Sequence, residues 1–153
     1  MPSADENKAV VKKVFFKGFD ADESRTLVTE DFRWVGPPSL EFVFDRAASE
    51  GPEALTDVPN IAAALYRKSD GKDSTNIHFM IAEGDIVILE FEATRTIFDN
   101  GTHRNTYCLV FLMRDGKIAE VHEYLDTHHL WDLAFDTPEK RDGVVERLGR
   151  LRV

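Results

Sequence analysis

The residues whose types and spacing suit them for chemistry lie in the second half of the chain. From Lys117 to Leu125 the side-chain alternation of a strand places Ala119, Val121, Glu123 and Leu125 on one face. If that face lines a cavity, Glu123 is a carboxyl among apolar neighbours. Desolvation raises the pKa of such a group and makes it usable as a base or acid near neutral pH. The competing reading has Glu123 facing solvent beside His122 and Tyr124, or paired with an Arg across a sheet. On the run from Ile86 to Phe98 the same alternation groups Val87, Leu89, Phe91, Ala93 and Arg95, with Glu90, Glu92 and Thr94 opposite. Arg95 is the polar end of an apolar row, where a guanidinium can hold a developing oxyanion or grip a carboxylate with two prongs. Bridging to a Glu or Asp at a rim is its structural alternative. From His103 to Met113, residues Asn105, Tyr107, Leu109, Phe111 and Met113 share a face. Tyr107 is there either a donor to substrate or a buried tyrosine with a structural partner.

Trp34, near the end of an earlier strand-like run, fits a wall on which a ring could stack, or a plain core position. Trp34, Phe91, Asn105, Leu109 and Val121 are thus the expected substrate contacts, and Glu123, Arg95 and Tyr107 the leading catalytic candidates. Asp126 follows the last strand, where capping a helix competes with chemistry. His128 and His129 are adjacent, so on a helix they project about 100° apart and cannot act as a metal pair. His129 is the one that could reach a pocket as a proton relay. His78, His103 and His122 have no ligand spacing, so no metal and no cofactor is expected. There is no G-x-S-x-G elbow, phosphate-binding glycine loop or dinucleotide fingerprint. Cys108, opposite in phase to Tyr107 in an apolar run, reads as an inert thiol.

The elements that must position these residues follow from periodicity and turn chemistry. Ser3-x-x-Glu6 has the form of a capping box, and Val10, Val11, Val14, Phe15 and Phe19 recur at helical spacing, which predicts a helix over about 4–18. A short second helix over 20–30 and a strand at Phe32–Val35 come next, ended by Gly36-Pro37-Pro38. The stretch 39–53 has no clear period and reads as a long loop over a pocket. Pro59 predicts the start of a third helix reaching Lys68. Three turns, Glu83-Gly84-Asp85, Asp99-Asn100-Gly101 and Arg114-Asp115-Gly116, then separate four strands at about 77–82, 86–98, 103–113 and 117–125. Connections this short enforce an antiparallel meander, and strands of such length curl. The fold class expected is therefore α+β, a curved antiparallel sheet wrapped by N-terminal helices into a cone-shaped pocket. It forms a single domain over 1–153, with a C-terminal helical extension over about 127–153.

Composition bounds the function. A chain of 153 residues can bury a core and still enclose a cavity, and eleven Phe suit either purpose. The net charge of −9 disfavours nucleic acid. No apolar stretch approaches the length that crosses a bilayer, so no membrane partner is expected. A single Cys and an N-terminus, MPSADENK, without an apolar core predict a cytoplasmic location.

The segments Ile81-Ala82-Glu83-Gly84-Asp85-Ile86-Val87, Arg114-Asp115-Gly116-Lys117-Ile118 and Glu123-Tyr124-Leu125-Asp126, in that order and spacing, resemble the nuclear-transport-factor-2-like superfamily. The nearest resemblance is to its SnoaL-like branch, whose relatives include ketosteroid isomerases, polyketide cyclases and limonene-epoxide hydrolases. It implies a homodimer and a cofactor-free site. In the isomerases a proton-shuttling Asp precedes a Pro after the first strand, and here Gly36 stands there. Their oxyanion-holding Tyr on the first helix falls near Phe15. In the epoxide hydrolases and cyclases an inward acid stands three residues before the Asp of the last strand, and Glu123 matches it. The hydrolase's Arg and Asp partners fall on Phe91 and Ala93. The resemblance therefore implies a cofactor-independent acid/base enzyme, a lyase, isomerase, cyclase or hydratase for a small apolar cyclic or aromatic substrate. A non-catalytic binding module and a protein-association domain remain as alternatives.

Overall fold

The computed structural model describes residues 1–19, 21–43, 50–67, 71–98 and 101–152. Helix α1 spans Ala4–Lys17 and starts on the expected capping box: the Ser3 hydroxyl accepts from the Glu6 amide at 3.2 Å, and the Glu6 carboxylate accepts from the Ser3 amide at 2.7 Å. A second helix, α2, is shorter than its predicted span, Asp22–Thr26, because strand β1 already begins at Val28 and runs to Val35. The N-terminal half of β1 is drawn into the sheet by the pairing of Val28 with Ile118.

Helix α3, Ala54–Leu65, corrects two expectations. Pro59 lies inside it rather than at its start. Amides of Ala54, Leu55 and Thr56 bond three residues back, a tight entry turn that follows Gly51, whose φ of 73° and bond to the Phe32 carbonyl tie the chain to β1. The helix also ends before Lys68, which lies outside the described residues. Tyr66–Arg67 instead form a two-residue strand, β2, against Ile97 and Thr96.

The meander is present as β3 (Ser74–Glu83), β4 (Ile86–Ile97), β5 (Gly101–Arg114) and β6 (Lys117–Leu125). Gly84, Asp115 and Gly116 carry positive φ at two of the three turns, and Gly101 does so at the third, where Asp99 and Asn100 lie outside the described residues. Strand order is β1-β6-β5-β4, with β3 and β2 sharing the far edge of β4. The sheet is strongly curled. One pairing departs from the antiparallel expectation: β1 lies parallel to β6, with Trp34 opposite Val121. A register shift between Leu112 and Met113 pairs Met113 with Ile118, so Ile118, not Ala119, enters the main core. Elsewhere the phase holds. Val87, Leu89, Phe91 and Ala93, and the odd residues from His103 to Met113, are buried on the concave side.

Helix α4, Thr127–Ala134, is capped by the Asp126 carboxylate on the His129 amide at 3.1 Å. Helix α5, Pro138–Leu151, starts on Thr137 and packs along α3. Arg147 donates to the Ala64 carbonyl at 2.8 Å, and Arg152 grips the buried Asp57 carboxylate at 2.6 and 2.8 Å. Two apolar clusters result, one between α1 and the sheet and one joining α3, α4 and α5. No helix among the described residues is long and apolar enough to cross a membrane.

Candidate active site

A cavity of about 470 Å³ opens between the two clusters, enclosed by the concave face of the sheet, α1, α3 and the turn at Leu40 and Val43. Its walls are mostly apolar. The Phe15 ring lies edge-on to Phe91 at 5.0 Å, Phe19 meets Trp34 in the same way at 5.0 Å, and Phe91 stacks on Tyr107 at 5.2 Å. α3 contributes Val58, Pro59, Ile61 and Ala62. The part of the predicted loop that is described, with Leu40 and Val43, borders the cavity, while 44–49 lie outside the described residues.

Into this space project Glu123, Tyr107, Tyr66, Thr75 and Arg95. The parallel pairing of β1 with β6 brings Trp34 beside Glu123, and the indole Nε1–H donates to Glu123 Oε2 at 3.0 Å. Glu123 forms no ion pair among the described residues. Burial pushes its carboxyl up from the ordinary 4.5 to about 7, with the Trp34 hydrogen bond pulling in the other direction. The residue keeps some solvent contact because its carboxyl opens onto the cavity, although protein surrounds it on every side. Burial also raises the Tyr107 hydroxyl to about 12, against the lowering effect of the hydrogen bond from Tyr66, so Tyr107 stays protonated at neutral pH. Tyr66 is raised well above its ordinary value, first by burial.

Arg95 stands at the rim as the alternation predicts. Its guanidinium bonds to the Ser74 and Thr94 carbonyls at 2.6 and 2.8 Å and to Thr75 Oγ1 at 2.9 Å, and among the described residues it pairs with no carboxylate. The cation is thereby held in place by backbone carbonyls and a hydroxyl.

Trp34, Phe91, Leu109, Tyr107, Arg95 and Glu123 thus meet in one cavity. Four other expected site residues do not line it. Val121 is fully buried in the core, beside Trp34 on the neighbouring strand. Asn105 is turned toward α4, accepting from the Asp126 amide at 3.1 Å and donating to the Asp126 carbonyl at 2.9 Å, so it anchors the helix instead of contacting substrate. Asp126 is exposed and engaged as the cap of α4. His129 stacks on His103 at 5.1 Å, behind the cavity wall.

Sequence reasoning misses two residues. Tyr66 reads in the sequence as part of an amphipathic helix face. His103 reads as a histidine without ligand spacing, although the alternation that selects Asn105 and Tyr107 selects it too. Tyr66 Oη lies 3.2 Å from both Tyr107 Oη and His103 Nδ1.

The SnoaL-like domain model matches residues 13–121. The chain belongs to the SnoaL-like family. The match ends two residues before Glu123, so membership accounts for the frame around the carboxyl rather than for the carboxyl itself. Comparison with curated protein sequences gives no match. Among solved structures, an NTF2-like protein of unknown function from Burkholderia pseudomallei K96243 superposes with a TM-score of 0.68 at 14% identity, covering 84% of this chain and 96% of that one. A protein named as a SnoaL-like polyketide cyclase from Jannaschia sp. CCS1 gives 0.63 at 18% identity, covering 90% and 97%. A protein with a ketosteroid isomerase-like fold from Catenulispora acidiphila DSM 44928, in complex with trimethylamine, gives 0.54 at 15% identity, covering 71% and 77%. At these identities the likeness is one of fold.

Proposed function

We propose that the chain is a cofactor-independent acid/base enzyme, a lyase, isomerase, cyclase or hydratase, that moves a proton on a small, largely apolar cyclic or aromatic substrate. The observation that carries this is Glu123, a carboxyl in an aromatic cavity without a cation partner among the described residues, with a pKa pushed up to about 7. Near neutrality both its forms are populated, so one group can take a proton from a carbon acid and return it elsewhere. Phe15, Phe19, Trp34 and Phe91 surround the ring, and the Tyr107 hydroxyl supplies a hydrogen bond to the oxygen on which charge develops. Arg95, fixed at the rim, draws the anionic end of a substrate toward the cavity. The cyclase named among the structural relatives agrees with this class of chemistry.

Proton exchange tests this without the natural substrate. Ring ketones and lactones small enough for the cavity are incubated with the protein in heavy water, and exchange of the proton next to the carbonyl is followed by NMR. We expect at least one to exchange, and Glu123→Gln to slow it by about a hundredfold to ten-thousandfold, the usual worth of a positioned base. Equal exchange by parent and variant would reject Glu123 as the base. If compounds bind and none exchanges, the binding-module reading replaces this one; Phe15 and Gly36, standing where the isomerases carry their donor and base, are what favour it.

We propose the cytoplasm as the setting, on the strength of the lone Cys108. As partner we propose a second copy of the chain on the convex face of the sheet. There Phe79, Ile81, Ile86 and Tyr124 are exposed, and three acids at the centre of the face have basic neighbours: Glu90 has His78, Glu92 has Arg104, and Glu120 has His122 and Arg33. In a chain of net charge −9, apolar residues set among acids with basic neighbours let two copies approach with reduced repulsion.

A further inference from the structure

Behind Tyr107 a line of hydrogen bonds leaves the cavity and ends on the backbone at the start of α4. Its members are Tyr107 Oη to Tyr66 Oη at 3.2 Å, Tyr66 Oη to His103 Nδ1 at 3.2 Å, and His103 Nε2 to Asn105 Nδ2 at 3.1 Å. Each hydroxyl and each ring nitrogen could by itself serve as donor or acceptor. The far end removes that freedom. Asn105 touches both backbone groups of Asp126, its amide nitrogen donating to the carbonyl at 2.9 Å and its amide oxygen accepting from the N–H at 3.1 Å. Turning the amide over would set oxygen against oxygen and N–H against N–H, so Nδ2 is fixed as the donor toward His103.

The rest follows link by link. His103 Nε2 must accept. A neutral imidazole has one donor and one acceptor, so the proton sits on Nδ1 and is donated to Tyr66. Tyr66 accepts there, and Tyr107 Oη is the acceptor within reach of its own hydrogen among the described residues, so that hydrogen goes to Tyr107. The remaining hydrogen, that of Tyr107, has no protein acceptor among the described residues, and the hydroxyl stands on the cavity wall. The scheme requires His103 to stay neutral, and its surroundings favour that. Burial, with a further contribution from His129 stacked from α4, lowers it to about 4 against the opposing pull of Asp126. The other groups against it, Tyr66 and Asn105, are uncharged.

We infer that this locked chain makes Tyr107 a one-way hydrogen-bond donor into the cavity, so the ligand atom seated against it is the carbonyl oxygen of a ring ketone, and Tyr66, His103 and Asn105 are positioning residues that set the direction. The choice of a carbonyl rests on the proposed proton transfer, in which that oxygen becomes an enolate. The direction of the chain does not depend on it. Donors aligned in series polarise one another, which strengthens the last bond as charge grows on the ligand. A hydroxyl ligand that must itself donate finds no acceptor at Tyr107.

Two measurements test this without turnover, on the parent and equally on Glu123→Gln, so a catalytically silent Glu123 leaves both readable. In protein labelled with ¹⁵N-histidine, the His103 ring, assigned through its contacts with Tyr66 and His129, should show a protonated Nδ1 and a bare Nε2 at neutral pH. Protonation at Nε2, or at both nitrogens, overturns the direction. The second probe is 1-tetralone labelled with ¹³C at the carbonyl. Bound to the parent, its infrared carbonyl band should move to lower wavenumber; Tyr107→Phe should abolish the shift, and Tyr66→Phe should reduce it. The parent should also bind 1-tetralone about three- to tenfold more tightly than tetralin, the range of one net hydrogen bond. A parent that prefers tetralin, binds the two equally or fails to bind the ketone overturns the ligand class.

Discussion

Glu123 and Glu120 stand three residues apart on β6 and face opposite sides of the sheet. Glu120, on the convex side, lies 2.9 Å from His122 Nε2 and 3.6 Å from an Arg33 nitrogen. Glu123, on the concave side, has one indole N–H and, among the described residues, no cation. The same contrast repeats on β4, where Glu90 and Glu92 meet His78 and Arg104 on the convex face while Phe91 and Ala93 turn into the cavity and core. The same carboxylate chemistry thus meets two environments, and the phase of a period of two decides which. At the solvated face Arg104 holds the Glu92 carboxyl below its ordinary value. One enclosed by rings and denied a cation is driven to exchange protons near neutrality. What singles out Glu123 as the proposed acid is the absence of a cationic partner among the described residues, more than its residue type.

The sharpest way to break that contrast is to treat both acids alike. Glu120→Gln should leave exchange activity within about twofold of the parent, while Glu123→Gln loses the hundredfold or more expected of a base. Equal losses would mean that the face does not matter. Stability should move the opposite way. The folded pKa of Glu123 lies above its unfolded value, so between about 4.5 and 7 the fold retains a proton that the unfolded chain has released. Stability contributed by the neutral carboxyl is therefore complete below about 4.5, falls as pH rises, and levels off above about 7. The full shift corresponds to about 3 kcal/mol as a ceiling, less to the extent that water in the cavity solvates the group. Glu123→Gln should accordingly be more stable than the parent at pH 8 and nearly equal to it at pH 4.5, as read by urea denaturation. A variant destabilised at pH 8 would show that the charged carboxyl is satisfied by the fold.

How much of this could be read in the sequence follows the same division. The meander was legible because turn residues and alternation are local: Gly84, Gly101 and Asp115-Gly116 fix the strand ends, and the phase of Val87 to Arg95 carries across to Tyr107 and Glu123 through short connections. The failures are non-local. Helix α3 starts where Gly51 bonds back to Phe32, so Pro59 misleads as a start signal. Tyr66 is helical by period and becomes a strand only because β4 extends past β3 and leaves Thr96 and Ile97 to pair. Asn105 shares the phase of Tyr107, yet its amide is claimed by Asp126, a partner that exists only once α4 docks. Val121 shows that facing the concave side is not the same as lining the cavity, since it is fully buried in the core beside Trp34, which does line it.

A smaller effect isolates the hydrogen bond that Trp34 donates to Glu123. The Trp34 indole holds the carboxyl lower than burial alone would. Trp34→Phe keeps a ring against Phe19 and removes that donor, so Glu123 should titrate above the parent value and less of it should be in the base form at pH 7. The acid limb of the kcat/KM profile should move to higher pH, together with the titration of ¹³C-labelled Glu123. A limb that stays in place would assign Trp34 to packing alone.

The smallest expected effect concerns the convex face and uses Cys108 as its reporter. The thiol is half-buried opposite Glu90 and Tyr124, and burial raises its pKa, with the Glu90 charge adding to the rise. The thiolate is the reactive form, so labelling by a neutral disulfide reagent at pH 7.5 should be slower in the folded chain than in urea. Glu90→Gln removes the charge and should speed labelling by about two- to threefold at low salt, the scale of a partly solvated charge interaction. A second copy on this face would cover Cys108, so the rate should also fall as protein concentration rises, and Tyr124→Glu should abolish that dependence while leaving the cavity chemistry of Glu123 intact. A labelling rate independent of concentration, with sedimentation showing a dimer nonetheless, would move the partner to another surface and leave the apolar residues of the convex face without their proposed occupant.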